Sequence, residues 1–182
     1  MKGDENSMSI REKIRAIPDY PKKGIMFRDI TTLLNDASGF AETIDTLVDR
    51  YRTMSIDKIA GIESRGFVVG APLAYLLGIG FIPVRKQGKL PGETIGVDYE
   101  LEYGTDRLEI HTDSLESGDK VLLVDDLIAT GGTALASTKL IEELGGEVMG
   151  CCFIVDLPDL GGSRLLKSHG YDTFSLCDFQ GD

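Results

Sequence analysis

Apolar runs and amphipathic stretches alternate along this chain and predict strands and helices in turn. Short apolar runs at Lys58–Ile62, Ile79–Val84 and Val121–Val124 predict buried strands. Between them, Ser38–Arg52 carries apolar residues at helical spacing, and Arg65–Leu77 is an apolar helix rich in small residues. Strands that alternate with helices indicate an α/β fold, with a central, mostly parallel sheet flanked by helices.

The start and the middle of the chain lack this regular pattern. Residues 1–8 are polar and predict a disordered or appended extension, so that residues 9–182 form a single domain. Within it, Ser9–Ile17 predicts a short helix with a capping box, and an irregular stretch rich in Pro and Gly follows. Residues 85–103 are polar and rich in Gly and Pro, and the part from about 89 to 103 predicts a mobile loop that serves the function.

Composition narrows the classes of function. The 182 residues include 19 basic and 30 acidic residues, a net charge of -11, so we expect no nucleic-acid partner, and any anion site must be made locally. We find no signal peptide and no apolar run long enough to cross a membrane, and we expect no membrane association. Three cysteines, an odd number without metal spacing, suit a reducing compartment and a cytoplasmic location.

The most informative segment follows the Val121–Val124 run. Two acids come first, then a short Gly-rich turn, and then a stretch that predicts a helix ending near Gly145. A strand, a tight turn and a helix start present several backbone N–H groups to one anion, and the helix dipole adds positive potential there. The turn therefore predicts a phosphate site formed by Ala129, Thr130, Gly131, Gly132 and Thr133.

The acids before this turn, Asp125 and Asp126, indicate more than a phosphate site. A site for phosphate alone would not favour two carboxylates, whereas a phosphorylated sugar would, because carboxylates accept hydrogen bonds from ribose hydroxyls. The motifs GxxxxGK[ST] and GxGxxG are absent, which excludes an NTPase loop and the dinucleotide fingerprint. The alternative is an ordinary turn between strand and helix with an acidic edge.

Cations follow two other predicted strands at the same edge of the sheet. Arg65 begins a helix, where the dipole disfavours a cation, so either its guanidinium clamps a pyrophosphate or it pairs with Glu63. Arg85, Lys86 and Lys89 form a basic cluster in an acidic chain, and they fit either a pyrophosphate or a solvated loop.

Two further segments carry candidate chemistry. Ile25, Met26 and Phe27 are apolar in an irregular stretch, so they either plug the core or form a slot for a flat base. Glu102 lies at the end of the predicted loop, where a carboxylate can close over a site and transfer a proton. The alternative for Glu102 is a solvated loop residue.

Taken together, these segments resemble one family. The stretch VLLVDDLIATGGTALAS resembles the 5-phosphoribosyl-1-pyrophosphate signature of the type I phosphoribosyltransferases. The blocks YPKKGIMFRD, ESRGF, PVRKQGKLPG and LEYGTD precede it in the order typical of the adenine-specific branch of that family. The resemblance runs from about Ile10 to Phe179.

The resemblance implies a type I phosphoribosyltransferase fold with a small N-terminal hood, about residues 9–36, over the base. It implies the transfer of 5-phosphoribose from 5-phosphoribosyl-1-pyrophosphate to adenine, giving AMP and pyrophosphate, with Mg²⁺ and a homodimer. In the family, the turn holds the 5-phosphate and the acid pair holds the ribose hydroxyls. The segment matched by Arg85 and Lys86 approaches the pyrophosphate, partly across the dimer, and a cis peptide often precedes the residue matched by Ser64.

Residue roles follow from the same resemblance. The expected catalytic residues are Glu102, Tyr103, Asp125 and Asp126. Besides the turn, the residues expected to bind phosphate and pyrophosphate are Ser64, Arg65, Arg85, Lys86 and Lys89, and those expected to bind adenine are Met26, Phe27 and Arg28. Mg²⁺ is expected to be held mainly by the substrate, with a contribution from Asp125 or Asp126 through water.

Two other functions remain as alternatives. A regulator built on this fold would bind the sugar phosphate only as an effector, and it would need a basic DNA-binding module that this acidic chain does not suggest. A related transferase would act on xanthine or guanine instead of adenine.

Overall fold

The computed structural model describes residues 9–101 and 104–181. Its strands are β1 (Arg15–Pro18), β2 (Met26–Asp29), β3 (Lys58–Ile62), β4 (Gly80–Lys86), β5 (Thr94–Leu101), β6 (Gly104–His111), β7 (Lys120–Ile128), β8 (Glu147–Asp156) and β9 (Thr173–Asp178). Its α-helices are α1 (Thr31–Asn35), α2 (Ala37–Tyr51), α3 (Arg65–Leu77), α4 (Gly132–Glu143) and α5 (Gly162–Ser168), and 3₁₀ turns cover Ile10–Lys13 and Pro158–Leu160.

One large sheet organises the described part of the chain. Its seven strands have the order β5-β6-β4-β3-β7-β8-β9. The five neighbouring strands β4, β3, β7, β8 and β9 run parallel, whereas β6 pairs antiparallel with both β4 and β5. The predicted α/β class and mostly parallel sheet are confirmed.

Alternation along the central strands buries both faces of this sheet. Leu122 and Val124 of β7 pack in the cluster that includes α2 and α3, whereas Leu123 packs in the cluster that includes α4 and α5. On β8, Cys151 and Cys152 divide between the same two clusters. Adjacent strand residues point to opposite faces, so each face receives its own layer of helices.

The hood differs from its prediction. Residues Ser9–Ile17 do not form one helix: the 3₁₀ turn ends at Lys13, and β1 pairs antiparallel with β2. The capping box itself is present, since the Glu12 carboxylate accepts bonds from the Ser9 N–H and hydroxyl. Tertiary pairing with a segment about ten residues away therefore overrides the local helix signal.

The predicted long loop is wrong over Thr94–Leu101, which forms β5 of a hairpin with β6. The apolar side chains of Ile95, Val97 and Tyr99 alternate toward the core, a period of two that the surrounding glycines and polar residues concealed. Gly96 lies where the Arg107 side chain crosses the strand, and a Cβ there, 2.5 Å from the Arg107 Nε, would displace that side chain. Glu102 and Tyr103 lie outside the described residues.

The described helices are all too short or too polar to cross a lipid bilayer.

Candidate functional site

The carboxyl ends of β3, β4 and β7 bring three predicted segments to one edge of the sheet. The parallel pairing of β3 with both β4 and β7 fixes this arrangement. Residues 63–65 follow β3, and the predicted phosphate turn follows β7. Residues 85–89 include the last two residues of β4 and the three that follow it. In open parallel sheets, ligands bind at this edge.

The predicted phosphate turn surrounds a small cavity. The cavity has a volume of about 110 Å³ and is lined by Asp125, Leu127, Ile128, Ala129, Thr130, Gly131, Thr133, Ala134 and Phe153. Gly131 adopts φ +86°, a left-handed conformation that favours glycine, and α4 begins at the next residue. The start of α4, where N–H groups lack helical partners and the helix dipole is positive, therefore borders this cavity, as an anion site requires.

The two acids have different surroundings, although they are adjacent. Asp125 lines the cavity, and one of its carboxylate oxygens accepts a 2.9 Å bond from the Asp126 N–H. Burial raises the pKa of Asp125 well above its usual range, and the neighbouring charge of Asp126 raises it further. Asp126 is buried and accepts a 2.5 Å bond from the Arg65 Nε.

Arg65 links the acid pair at the end of β7 to the hood. The predicted alternative, an ion pair with Glu63, is wrong, because Arg65 pairs with Asp126. Burial opposes the charge on the guanidinium, yet Asp126 and Asp125 outweigh it and raise the pKa of Arg65. The Arg65 side chain remains half exposed and lines the cleft beneath the hood. A peptide bond in the cis form precedes Ser64, as the resemblance implies.

Two cations of the basic cluster at the end of β4, Arg85 and Lys86, are paired with acids. Arg85 donates through its Nε to Glu63 at 3.1 Å and through another guanidinium nitrogen to the Lys89 carbonyl. The Lys86 ammonium lies 3.0 Å from an Asp106 carboxylate oxygen, and this hydrogen bond raises the pKa of Lys86. A pyrophosphate would have to compete with these two carboxylates for Arg85 and Lys86.

The hood forms an open cleft of about 300 Å³ over the carboxyl edge. Its lining residues are Ile17, Tyr20, Phe27, Arg28, Asp29, Ile30, Thr31 and Arg65. The Tyr20 and Phe27 rings meet edge to face at 5.1 Å between centroids, which gives the cleft an aromatic wall. Of the three predicted base-binding residues, Phe27 and Arg28 line the cleft and Met26 does not.

The backbone of β2 suits recognition of a base edge. In an antiparallel pair, alternate residues direct both their N–H and their C=O away from the partner strand. Because the hood sheet has two strands, β2 presents such groups on the side away from β1. The Ile25 N–H and C=O are hydrogen-bonded within the preceding turn, so Ile25 does not contribute such groups.

Several residues around the site were not predicted as site residues. Glu63 and Asp106 hold the cations of the β4 cluster, while Tyr20 and Thr31 line the hood cleft. Tyr20 lies in a block that resembles the family, which was the available signal. Glu63 and Asp106 also lie in such blocks, ESRGF and LEYGTD, but their pairing with Arg85 and Lys86 depends on contacts between strands that the sequence does not show.

The sequence matches a known family model and named relatives over most of its length. A model of the phosphoribosyl transferase domain matches residues 30–179, which include every element from the end of β2 to β9. An adenine phosphoribosyltransferase of Nitrosomonas europaea is 64% identical over 173 residues, covering 95% of this chain and 99% of the relative.

Solved structures agree with the sequence relatives. The crystal structure of adenine phosphoribosyltransferase from Thermoanaerobacter pseudethanolicus is 54% identical, has a TM-score of 0.89, and is matched over 93% of this chain and 98% of that one. The enzyme from Saccharomyces cerevisiae, complexed with an imino-altritol bisphosphate and adenine, is 38% identical with a TM-score of 0.86 over 92% of this chain and 96% of that one. Both share the present fold along almost the whole chain.

Proposed function

The chain belongs to the phosphoribosyltransferase family, and we propose that it transfers 5-phosphoribose from 5-phosphoribosyl-1-pyrophosphate to adenine, a reaction of purine salvage. The products are AMP and pyrophosphate. The observation that carries this proposal is that a phosphate turn with an acid pair and an aromatic cleft meet at one sheet edge. The names of the relatives support adenine as the accepting base.

The sugar end binds the ribose 5-phosphate part of the substrate. The backbone N–H groups of residues 130–133 and the Thr130 and Thr133 hydroxyls hold the 5-phosphate. Asp125 and Asp126 accept hydrogen bonds from the ribose 2- and 3-hydroxyls. Asp126 is also paired with Arg65, which binds the leaving pyrophosphate. One ion pair therefore connects the ribose site to the pyrophosphate site.

The base end binds adenine in the cleft beneath the hood. Phe27 provides a stacking face, and one residue of Met26–Arg28 directs its N–H to N1 and its C=O to the 6-amino group. Hypoxanthine and guanine reverse this donor and acceptor pattern. Each reversed contact leaves buried polar groups unpaired, at a cost of about 1–3 kcal/mol.

The charges of the site match those of the reaction. The bond between C1 and the pyrophosphate oxygen breaks, its electron pair leaves with pyrophosphate, and positive charge develops on C1 and the ring oxygen. Asp125 and Asp126 favour that positive charge, while Arg65, Arg85, Lys86 and Lys89 offset the charge of the leaving group. Adenine N9 then forms the new bond to C1, and the ring loses a proton.

The resemblance assigns two further catalytic residues, Glu102 and Tyr103, which follow β5 in sequence. Glu102 accepts or relays the proton of the purine imidazole ring, and Tyr103 is the second catalytic residue of this segment. Both roles rest on the resemblance, because these two residues lie outside the described ranges.

Mg²⁺ fits the donors at the end of β7, because it binds through one or two carboxylates together with substrate phosphates. Within residues 9–101 and 104–181, no three His, Cys, Asp or Glu side chains group closely enough to hold a metal. In our assignment the substrate diphosphate holds the ion, and Asp125 or Asp126 contacts it through water. When bound, the ion offsets negative charge on the leaving pyrophosphate.

A homodimer is supported by the exposed face of α3. Tyr75 is 82% exposed, and Val68 and Leu76 on the same helix are also exposed apolar residues. Contiguous apolar surface of this kind marks an interaction site, and a second copy of the chain is the partner that the resemblance implies. Light scattering should give twice the monomer mass, and Y75E should shift it toward the monomer; a monomeric wild-type protein would refute the dimer.

A cytoplasmic location is part of the proposal. Cys151 and Cys152 are buried free thiols, and Cys177 is a partly buried one, which suits a reducing compartment. Fractionation of cells that express the chain would test this location.

A panel of bases tests the proposed reaction. Purified protein is incubated with Mg²⁺, 5-phosphoribosyl-1-pyrophosphate and one of adenine, hypoxanthine, guanine or xanthine, and the nucleotides are separated. We expect AMP from adenine, with discrimination on the order of hundreds-fold or more against the other bases. Efficient use of hypoxanthine or guanine would refute the choice of adenine, and binding of the sugar substrate without any nucleotide product would favour a regulator.

A further inference from the structure

We infer that Gly162, at the start of α5, is a positioning residue that sets the backbone of the phosphate turn. The inference rests on the proposed function, because it assumes that this turn holds the 5-phosphate. Gly162 belongs to a different connection of the sheet, between β8 and α5, and it lies about thirty residues beyond the turn in sequence. It contacts the turn directly.

The contact is between one backbone and another. The Gly162 N–H donates a 2.8 Å bond to the Ala129 carbonyl. A Cβ atom on Gly162 would lie 2.5 Å from the Ala129 oxygen and 2.8 Å from the Gly131 nitrogen. Reciprocally, a Cβ on Gly131 would lie 2.9 Å from the Gly162 Cα. These distances leave no room for a side chain on either residue.

The clash would fall on the groups that the phosphate needs. Gly131 contributes one of the N–H groups of the turn, and Ala129 precedes the first threonine donor. Backbone atoms cannot rotate out of the way as the end of a long side chain can, so an added methyl group must move the turn. Binding and catalytic geometries are sensitive to displacements of this size, since an error of about 1 Å can cost roughly 100-fold in rate.

Two hydrogen bonds of neighbouring residues fix the position of Gly162. Ser163 donates through its hydroxyl to an Asp156 carboxylate oxygen at 2.5 Å, which ties the start of α5 to the end of β8. The Leu157 N–H donates to the Ile128 carbonyl at 3.0 Å, which ties the intervening loop to β7. These two hydrogen bonds therefore fix the segment that carries Gly162, and Gly162 itself contacts the phosphate turn.

The test measures the affinities for the two ligands of the site separately. Calorimetry measures the Kd of ribose 5-phosphate and of adenine for the wild-type protein and for G162A, S163A and the control G80A, and steady-state assays give the KM of both substrates. G80A is matched because a Cβ on Gly80 would meet its nearest neighbour at 3.5 Å, an ordinary contact. Thermal melting reports whether each variant folds.

We expect G162A to raise the Kd of ribose 5-phosphate about 10- to 100-fold while the Kd of adenine changes by less than about twofold. S163A should raise the Kd of ribose 5-phosphate by a smaller factor, about threefold, and G80A should not change it. If G162A does not fold, S163A decides: an unchanged ribose 5-phosphate affinity would overturn the inference.

Two results with folded G162A would also overturn the inference. One is an unchanged affinity for ribose 5-phosphate. The other is an equal loss of affinity for both ligands, because that result would mean a general loss of structure. If the wild-type protein itself fails to bind ribose 5-phosphate, the proposed function fails, and this inference fails with it.

Discussion

The two ends of the site are built in different ways. At the sugar end, the phosphate turn lies between a central strand and a helix of the main sheet, and it packs backbone to backbone against Gly162. At the base end, a separate two-stranded hood supplies the cleft. Within the hood, Asp29 of β2 accepts a bond from Arg15 of β1 at 3.1 Å, and Arg28 connects the hood to the C-terminal segment by stacking on the Phe179 ring at 4.1 Å.

This difference suggests that the two ends have different roles in substrate binding. A phosphate has one shape in every substrate and product, so a rigid cradle made of backbone suits it. A base must enter and leave, and a small sheet held by side chains can adjust at lower cost. We therefore expect substitutions at the sugar end to affect turnover most, and substitutions at the hood to affect base affinity.

The largest effect should come from the acid pair. D125N and D126N each keep the side-chain shape but remove the charge that favours the cationic ribose, so turnover should fall about 100- to 1000-fold. The affinity for AMP should fall much less, because the product carries no such cation. Stopped assays and AMP titrations measure both; wild-type turnover in both variants would show that the carboxylates do not have this role.

A smaller effect is expected from Phe27 at the base end, and it should change substrate affinity instead of turnover. F27A removes the stacking face, so the KM for adenine should rise about tenfold while the KM for 5-phosphoribosyl-1-pyrophosphate stays within twofold. M26L is the control, because Met26 lies on the same strand but does not line the cleft. Equal changes in the two KM values for F27A would contradict the separation of the two ends.

The two ends should also respond to pH with opposite signs. Burial raises the pKa of Asp125, so its contribution to stability is greatest at low pH and is lost as pH rises above the unfolded value of about 3.9. For Asp29, burial opposes ionisation, but hydrogen bonds from Arg15 and Thr31 outweigh it and lower the pKa to about 2. The contribution of Asp29 is therefore present above about pH 3.9 and is lost as pH falls through about 2.

Melting curves of D125N and D29N test these signs. At neutral pH, D125N should raise Tm by a few degrees although it is nearly inactive, and D29N should lower Tm by a similar amount, since 1 kcal/mol corresponds to about 2–4 °C in a domain of this size. Both differences should shrink as pH falls toward 3. A lower Tm for D125N at neutral pH would mean that its charge stabilises the fold.

The smallest expected effect concerns the attachment of the hood. F179L keeps apolar volume but removes the ring beneath Arg28, so the KM for adenine should rise about two- to fivefold with little change for the sugar substrate. F174L is a matched control, because Arg50 stacks on Phe174 at 3.8 Å where β9 begins, at the edge away from the site. An equal effect of the two variants would assign the change to general stability.

The local pattern of the chain determined the main sheet and the phosphate turn. The bounds of Lys58–Ile62 and Arg65–Leu77 were predicted as the structure has them, because the period of apolar residues and the following Gly78 are local signals. The turn at 129–133 was also predicted, since a strand, glycines and a helix start define an anion site within one short segment.

The tertiary structure alone decided how distant segments meet. It pairs Arg65 with Asp126 and Arg85 with Glu63, it turns residues 94–101 into a strand of a hairpin, and it closes the hood. It also places Gly162 against the phosphate turn. The two ion pairs and the Gly162 contact depend on which strands become neighbours and on which face each side chain occupies, and no window of sequence short enough to show a period contains both partners.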